Sequence, residues 1–141
     1  MPAVQILVVD DHPVVRRVMC SLLSSDSALK VICEAADGEQ AVQKAEELQP
    51  DLILLDIGLP GMSGIEAARR IRRVAPQSKI IFLSQHDSLQ MVKEAMSAGG
   101  YGYVAKIDAG LDLLTAIRTV RDGKPFVSRR IVSQGWTVLA G

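Results

Sequence analysis

Four apolar runs of this sequence each end at a residue that can bind phosphate or a metal ion. The runs lead into an aspartate pair, Asp10 and Asp11, and then into Asp56, Ser84 and Lys106. Short apolar runs separated by amphipathic segments are typical of parallel strands that are buried on both faces. Because ligands of open α/β sheets bind beyond the carboxyl ends of the strands, we expect these side chains to share one edge of a sheet.

Three carboxylates at one sheet edge favour a hard divalent cation. Crowded carboxylates repel each other unless a cation lies among them. Mg²⁺ fits best, because it takes one or two carboxylates and keeps waters and phosphate oxygens in its shell. With the metal and Lys106 neutralising charge, an aspartate can act as a covalent nucleophile toward a phosphoryl group.

The composition is that of a single globular domain. The chain has 141 residues, 48% of them apolar, and its 16 basic and 16 acidic residues give a net charge of zero. That balance excludes a domain that binds nucleic acid through its overall charge. The two cysteines, Cys20 and Cys33, lack zinc-site spacing and are expected to be reduced. No apolar stretch reaches the roughly 18 residues of a membrane span, and the start lacks signal-peptide features, so we predict a cytoplasmic protein with no membrane contact.

Strand and helix patterns alternate five times along the chain. Strands are predicted at residues 4–10, 30–34, 51–56, 79–84 and 101–105. Repeated β-α units with short connections predict a parallel sheet with helices on both faces. Five strands fit the flavodoxin-like (βα)5 fold, doubly wound in the order 2-1-3-4-5. In that order the first strand borders the third, which brings Asp10 and Asp11 beside Asp56.

The helices are predicted from the spacing of their apolar residues. Ser63 is expected to cap the third helix, and the fourth and fifth helices are expected at residues 87–98 and 111–121. Leu48 and Leu89 are expected to face inward in the second and fourth helices. The first helix is expected to present one wide apolar face, formed by Val14, Val15, Val18, Met19, Leu22 and Leu23.

The chain divides into two unequal parts. Residues 1–123 contain all five predicted β-α units. Residues 124–141 are apolar in places but follow no single period. We interpret this second part as a docked extension, the start of a linker, or the result of a truncation.

These residues together resemble the receiver domains of two-component response regulators. The similarity runs from about residue 4 to residue 122 and rests on the acidic pair, on Asp56 in DLILLDIGLPGMSG, on Ser84 in IIFLSQHD and on Lys106 in AGGYGYVAK. Each motif alone is weak, but the set in this order and spacing is highly specific. The motifs look most like the NarL/LuxR-type subfamily, whose receivers usually precede a helix-turn-helix DNA-binding domain.

The resemblance implies a role for each residue that could bind the metal or the phosphoryl group. Asp56 would be the phosphoacceptor. Asp10 and Asp11 would supply the Mg²⁺ carboxylates together with Asp56, and the backbone carbonyl of Gly58 would be a further ligand. Lys106 would pair with the phosphoryl group.

The resemblance also implies a conformational switch and a control on dephosphorylation. Ser84 would move its hydroxyl onto a phosphoryl oxygen, and Tyr103 would turn inward behind it. The side chains at Gly58 and His86 would flank the path of the hydrolytic water. Ile107 stands where many receivers have proline, which leaves the conformation of the Lys106–Ile107 bond open.

A receiver of this kind is a phosphoacceptor switch with self-catalysed phosphorylation and dephosphorylation, and not a conventional enzyme. Its expected partners are a sensor histidine kinase, a second copy of the chain as a homodimer, and DNA only through an output domain outside this chain. Transcription is the expected output.

Three other functions were weighed against the transcriptional receiver. A stand-alone receiver would act through protein-protein contacts. A Mg²⁺-dependent phosphatase usually has D-x-D after its first strand, where this chain has Asp10, Asp11 and His12. An FMN binder needs a phosphate-cradling loop there, and two aspartates would repel that phosphate. His12 and His86 have no metal-spaced partner and are expected to be exposed loop histidines.

Overall fold

The computed structural model describes residues 2–136 and consists of a parallel sheet between two layers of helices. The strand order is β2-β1-β3-β4-β5-β6, and every neighbouring pair is parallel. The predicted doubly wound order of the first five strands is therefore confirmed. The strands are β1 (Val4–Val9), β2 (Leu29–Ala35), β3 (Leu52–Asp56), β4 (Lys79–Ser84), β5 (Gly100–Ala105) and β6 (Phe126–Val127).

Five helices cross between the strands, and a short sixth helix follows β6. A single 3-10 turn, Lys106–Asp108, joins β5 to the fifth helix. The predicted cap is confirmed, because the hydroxyl of Ser63 accepts a hydrogen bond from the amide of Glu66. The helices are α1 (Pro13–Ser24), α2 (Gly38–Leu48), α3 (Gly64–Val74), α4 (Leu89–Ser97), α5 (Ala109–Arg121) and α6 (Arg129–Val132).

The sheet has one strand more than the five predicted from the sequence. Phe126 and Val127 pair with Gly102 and Tyr103, so the segment after α5 extends the sheet beyond β5. Two residues are too few to show an alternating pattern, and only the neighbouring strand makes them a strand. The segment starting at residue 124 thus begins as a docked extension, while residues 137–141 lie outside the described part.

The sheet separates two apolar layers. Helices α1 and α5 cover one face, and α2, α3 and α4 cover the other. The central strands β3 and β4 are buried except at Lys79, which is why their middle residues are continuously apolar. Among residues 2–136, no helix is long and apolar enough to cross a membrane.

Some residues that were expected to face inward are exposed. Val14 and Val18 of α1 are 67% and 63% exposed, while Met19 and Leu23 are buried. Successive residues of a helix are rotated by about 100° around its axis, so the six apolar residues of α1 form a wide stripe. The sheet covers only part of that stripe, and the valines at its edge stay exposed. Leu48 and Leu89 are also exposed, because they lie at a helix end where packing stops.

Two helix boundaries differ from the sequence prediction. Helix α4 begins at Leu89, two residues later than expected, because the Ser88 hydroxyl caps it by accepting from the amide of Met91. Helix α5 begins at Ala109, two residues earlier than expected, since it continues directly from the 3-10 turn.

Gly64 brings the start of α3 against the strand that carries Asp56. Its amide donates to the carbonyl of Ile57 at 2.9 Å. A Cβ atom at Gly64 would overlap the carbonyl oxygen of Asp56 and would lie 2.7 Å from the Cα of Ile57. Only glycine allows the helix and the end of β3 to approach this closely.

We therefore expect Gly64→Ala to lower the free energy of unfolding by about 1–3 kcal/mol, as overpacking against backbone does. Gly110→Ala is the matched control, because a Cβ at Gly110 meets nothing within 4 Å and alanine favours a helix. Urea denaturation measures both changes. Equal stability of Gly64→Ala and the parent would contradict the close approach.

Candidate functional site

A lysine bridges two buried aspartates at the carboxyl end of the sheet. The Nζ atom of Lys106 lies 3.0 Å from Oδ2 of Asp10 and 3.1 Å from Oδ2 of Asp56. Asp10 is 0% exposed and Asp56 is 3% exposed. A buried charge needs a partner, and here one ammonium group serves two carboxylates.

The strand order explains how these residues meet. Val9 lies opposite Leu55 in the pairing of β1 with β3, so the next residues, Asp10 and Asp56, leave the sheet side by side. Lys106 follows β5, which is separated from β3 by β4. Only a long side chain can cross the end of β4 from that position, and lysine has the length to do so.

Asp56 is in an environment that disfavours its charge. Burial raises the pKa of Asp56, and the charge of Asp10 raises it further, while Lys106 and the amide of Gly58 lower it by less. A carboxyl whose pKa is raised by folding stabilises the fold at low pH and loses that contribution as pH rises through the raised pKa. At neutral pH an additional cation beside Asp56 would therefore be favourable.

The lysine remains charged in this setting. Burial alone would lower the pKa of Lys106, but hydrogen bonds and charge from Asp10 and Asp56 outweigh burial and raise it. Lys106 is therefore a permanent positive charge at the site. Its side chain is still 17% exposed, so an incoming anion can reach it.

Asp11 and His12 complete the acidic cluster. Ligand atoms of Asp10, Asp11, His12 and Asp56 all lie within 4.8 Å of one another. Asp10 uses Oδ1 to accept the amide of His12 at 2.9 Å, whereas the buried Oδ1 of Asp11 accepts no hydrogen bond among residues 2–136. A buried carboxylate oxygen that converges with its neighbours in this way fits a small hard cation such as Mg²⁺.

The position of His12 at the site was not predicted from the sequence. Its side chain is 58% exposed, as expected of a loop histidine, but its Nδ1 lies 3.1 Å from Oδ1 of Asp11 and 3.3 Å from Oδ1 of Asp10. The only sequence signal was its position directly after the acidic pair. A tight turn, held by the amide of His12, brings the ring back onto the aspartates.

Gly58 lies over Asp56 and leaves space above it. Its amide donates to Oδ1 of Asp56 at 3.1 Å. A Cβ atom at this position would meet only that oxygen, at 3.9 Å. The approach to Asp56 past Gly58 is therefore free of side-chain bulk.

Ser84 and Tyr103 are both buried and both hydrogen-bond the backbone of His86. The Ser84 hydroxyl accepts from the His86 amide at 2.9 Å, and the Tyr103 hydroxyl donates to the His86 carbonyl at 2.9 Å. Burial raises the pKa of Tyr103, and the neighbouring Ser84 hydroxyl only partly offsets this rise. The two hydroxyls are thus linked through the loop that follows β4.

The Lys106–Ile107 bond, which the sequence analysis left open, is trans, as are all the peptide bonds in the described part of the chain. Ile107 is 79% exposed in the 3-10 turn.

The fold and the acidic cluster define a receiver domain. Residues 6–123 match the family model described as response regulator receiver domain. The chain therefore belongs to the receiver-domain family of two-component response regulators. This assignment sets aside the phosphatase and the FMN binder. Receiver domains bind Mg²⁺ at an acidic pocket, and the aspartate cluster is such a pocket.

The relatives are of the LuxR/NarL type. The transcriptional activator protein ExaE of Pseudomonas putida is 36% identical over 129 residues, which are 92% of this chain and 60% of that protein. The response regulator protein VraR of Staphylococcus aureus is 37% identical over 121 residues, which are 86% of this chain and 58% of that protein. This chain thus spans about 60% of the length of these curated relatives.

A solved structure agrees with both the fold and the subfamily. The two-component response regulator of the LuxR family from Aurantimonas sp. SI85-9A1 superposes with a TM-score of 0.90 at 34% identity, over 93% of this chain and 94% of that one.

Proposed function

We propose that this chain is the phosphoryl-accepting switch of a response regulator, with Asp56 as the phosphoacceptor. One observation carries the proposal: Asp56 ends the central strand, buried, beside Asp10 and bridged to it by Lys106. A Cβ atom at Gly58 would meet only Oδ1 of Asp56, so the open space at this glycine gives a phosphodonor access to the Asp56 carboxylate. The proposed donor is the phosphohistidine of a sensor histidine kinase.

Phosphoryl transfer would use the groups that already surround Asp56. A carboxylate oxygen of Asp56 forms a bond to phosphorus while the phosphorus-nitrogen bond of the donor breaks, and the departing nitrogen keeps the electron pair and takes a proton. Lys106 moves its contact from the carboxylate to a phosphoryl oxygen. Such chemistry depends mainly on positioning and electrostatics.

Mg²⁺ would be held by Asp10, Asp11, Asp56 and the carbonyl oxygen of Gly58, and would supply positive charge against the phosphoryl oxygens. Asp11 is the strongest candidate for direct contact, because its buried Oδ1 accepts no backbone hydrogen bond within residues 2–136 and faces the exposed ring of His12, which a cation can displace. Asp10 already serves Lys106 and the amide of His12.

The switch would begin at Ser84. Its hydroxyl would leave the amide of His86 and bond a phosphoryl oxygen, which frees the loop after β4. The hydroxyl of Tyr103 is bonded to the same loop, so the loop and the aromatic ring would move together. The affected surface is α4, β5 and α5.

Incubation with phosphoramidate and Mg²⁺ should add one phosphoryl group, and Asp56→Asn should abolish it. The asparagine side chain lacks the nucleophilic carboxylate oxygen of the aspartate. Asp122→Asn is the matched control, since Asp122 is exposed and pairs only with Arg121 among the described residues. Intact-mass spectrometry, with EDTA as a metal-free control, measures the product. Equal labelling of Asp56→Asn would reject the phosphoacceptor.

We further propose that Gly58 and His86 tune the lifetime of the phosphorylated state. Gly58 presents no bulk to a water that approaches Asp56. Gly58→Met should slow dephosphorylation several-fold, because excluding water suppresses hydrolysis. His86→Ala should change the rate, since its backbone is tied to Ser84 and Tyr103.

The measurement is the decay of phosphorylated protein in Mg²⁺ buffer after the phosphodonor is removed. Gly110→Ala provides the comparison, because a Cβ atom at this glycine meets nothing within 4 Å. If Gly58→Met decays as fast as the parent, access past residue 58 does not limit the lifetime.

The proposed output is transcriptional, through a helix-turn-helix domain that this chain does not include, and through a homodimer that forms on the α4-β5-α5 surface. The proposal includes a division of the chain at residue 123. Residues 1–123 are the receiver domain, and residues 124–141 are an extension or the start of a linker to the output domain. ExaE is described as a transcriptional activator, and that description supports the output.

Dimerisation should strengthen when beryllofluoride occupies Asp56 as a phosphoryl mimic. The zero net charge leaves no charge barrier to self-association. Analytical ultracentrifugation with and without beryllofluoride measures the change, and Asp56→Asn, which cannot bind the mimic, is the control. A monomer in every condition would argue against a dimer as the output.

A further inference from the structure

The segment after α5 covers the edge of β5 immediately before Lys106. We call residues 126–132 the C-terminal clamp; it consists of β6, Ser128 and α6. Ser128 is 0% exposed, although serine is usually found at the surface. A buried hydroxyl needs a hydrogen-bond partner, and the partner of the Ser128 hydroxyl is the amide of Ala105, next to Lys106.

Ser128 holds β5 at two points. Its amide donates to the carbonyl of Tyr103 at 3.0 Å, and its Oγ accepts from the amide of Ala105 at 2.9 Å. In a regular parallel ladder the carbonyl of residue 128 would accept that second hydrogen bond. Here the carbonyl is used by α6, where it accepts from the amides of Ile131 and Val132. The hydroxyl therefore replaces the carbonyl at the last rung.

A second contact fixes the turn that starts with Lys106. The guanidinium of Arg130 contacts Asp108, at 3.1 Å from Nε to Oδ2 and at 3.4 Å from Nη2 to Oδ1. Asp108 is the last residue of the Lys106–Asp108 turn. Ile131 is 0% exposed and belongs to the same apolar layer as Tyr103. The clamp thus holds the chain on both sides of Lys106.

We infer that Ser128 is a positioning residue for phosphoryl acceptance: its hydroxyl fixes the backbone at Ala105 and so places the ammonium group of Lys106 between Asp10 and Asp56. The inference rests on the proposed function, because the exact placement of Lys106 bears on phosphorylation only if Asp56 accepts a phosphoryl group. Reacting groups are sensitive to small displacements, and a shift of about 1 Å can cost about 100-fold in rate.

The test compares Ser128→Ala with Ser133→Ala. Ser133 belongs to the same stretch of chain, but it is exposed and its hydroxyl donates only to the carbonyl of Arg130. With saturating Mg²⁺, phosphorylation by phosphoramidate should be about five- to tenfold slower in Ser128→Ala and unchanged in Ser133→Ala. Calorimetric Mg²⁺ affinity should stay within about twofold of the parent, since the carboxylates that bind the metal are on other strands.

Two results would overturn the inference. One is a parent-like phosphorylation rate in Ser128→Ala. The other is a loss of Mg²⁺ affinity as large as the loss of rate, which would indicate general damage to the fold. If Ser128→Ala does not fold, Ser128→Cys keeps most of the volume but offers only a weak acceptor, and the same two criteria apply.

Amide hydrogen exchange gives a readout that does not depend on phosphorylation. The amide of Ala105 should be strongly protected in the parent and exchange faster in the Ser128 variants, while Ser133→Ala matches the parent. An unprotected amide at Ala105 in the parent overturns the inference. If the parent takes no phosphoryl group at all, the proposed function fails, and the exchange data alone decide whether Ser128 holds this backbone.

Discussion

The structure depends on one buried ammonium group shared by two carboxylates. Lys106 stands between Asp10 and Asp56, at 3.0 and 3.1 Å, where solvent is largely excluded. Without it, two buried negative charges would face each other at the end of the central strands, at a cost of several kcal/mol per ion. The same arrangement that permits the fold leaves a local excess of negative charge. That excess favours a bound cation such as Mg²⁺.

The sheet makes this arrangement possible because every strand is parallel. Side chains that follow β1, β3, β4 and β5 must then meet at one edge, however far apart they lie in sequence. The β1–β3 pairing brings the aspartates together, and β4 ends at Ser84 between the ends of β3 and β5. A charge change at Asp56 thus reaches Ser84 over one strand spacing, and reaches Tyr103 through the backbone of His86.

The C-terminal clamp shows that the site extends beyond the residues of the recognisable motifs. Ser128 has no motif around it, yet its hydroxyl ends the ladder that presents Lys106. A segment that looks like a linker in sequence is therefore part of the sheet.

The sequence by itself determined the class of fold, the order of the first five strands and the residues gathered at the site. The spacing of apolar residues and the polar residues at the ends of strands are local signals, so they can be recognised without the tertiary structure. Several features came only from the tertiary structure: β6, the exposure of Val14 and Val18, the place of His12, and the role of Ser128. Each depends on what packs against a residue and not on the residue itself. A two-residue strand exists only when its neighbour supplies the ladder, and a hydroxyl becomes a structural acceptor only when burial leaves an amide without water.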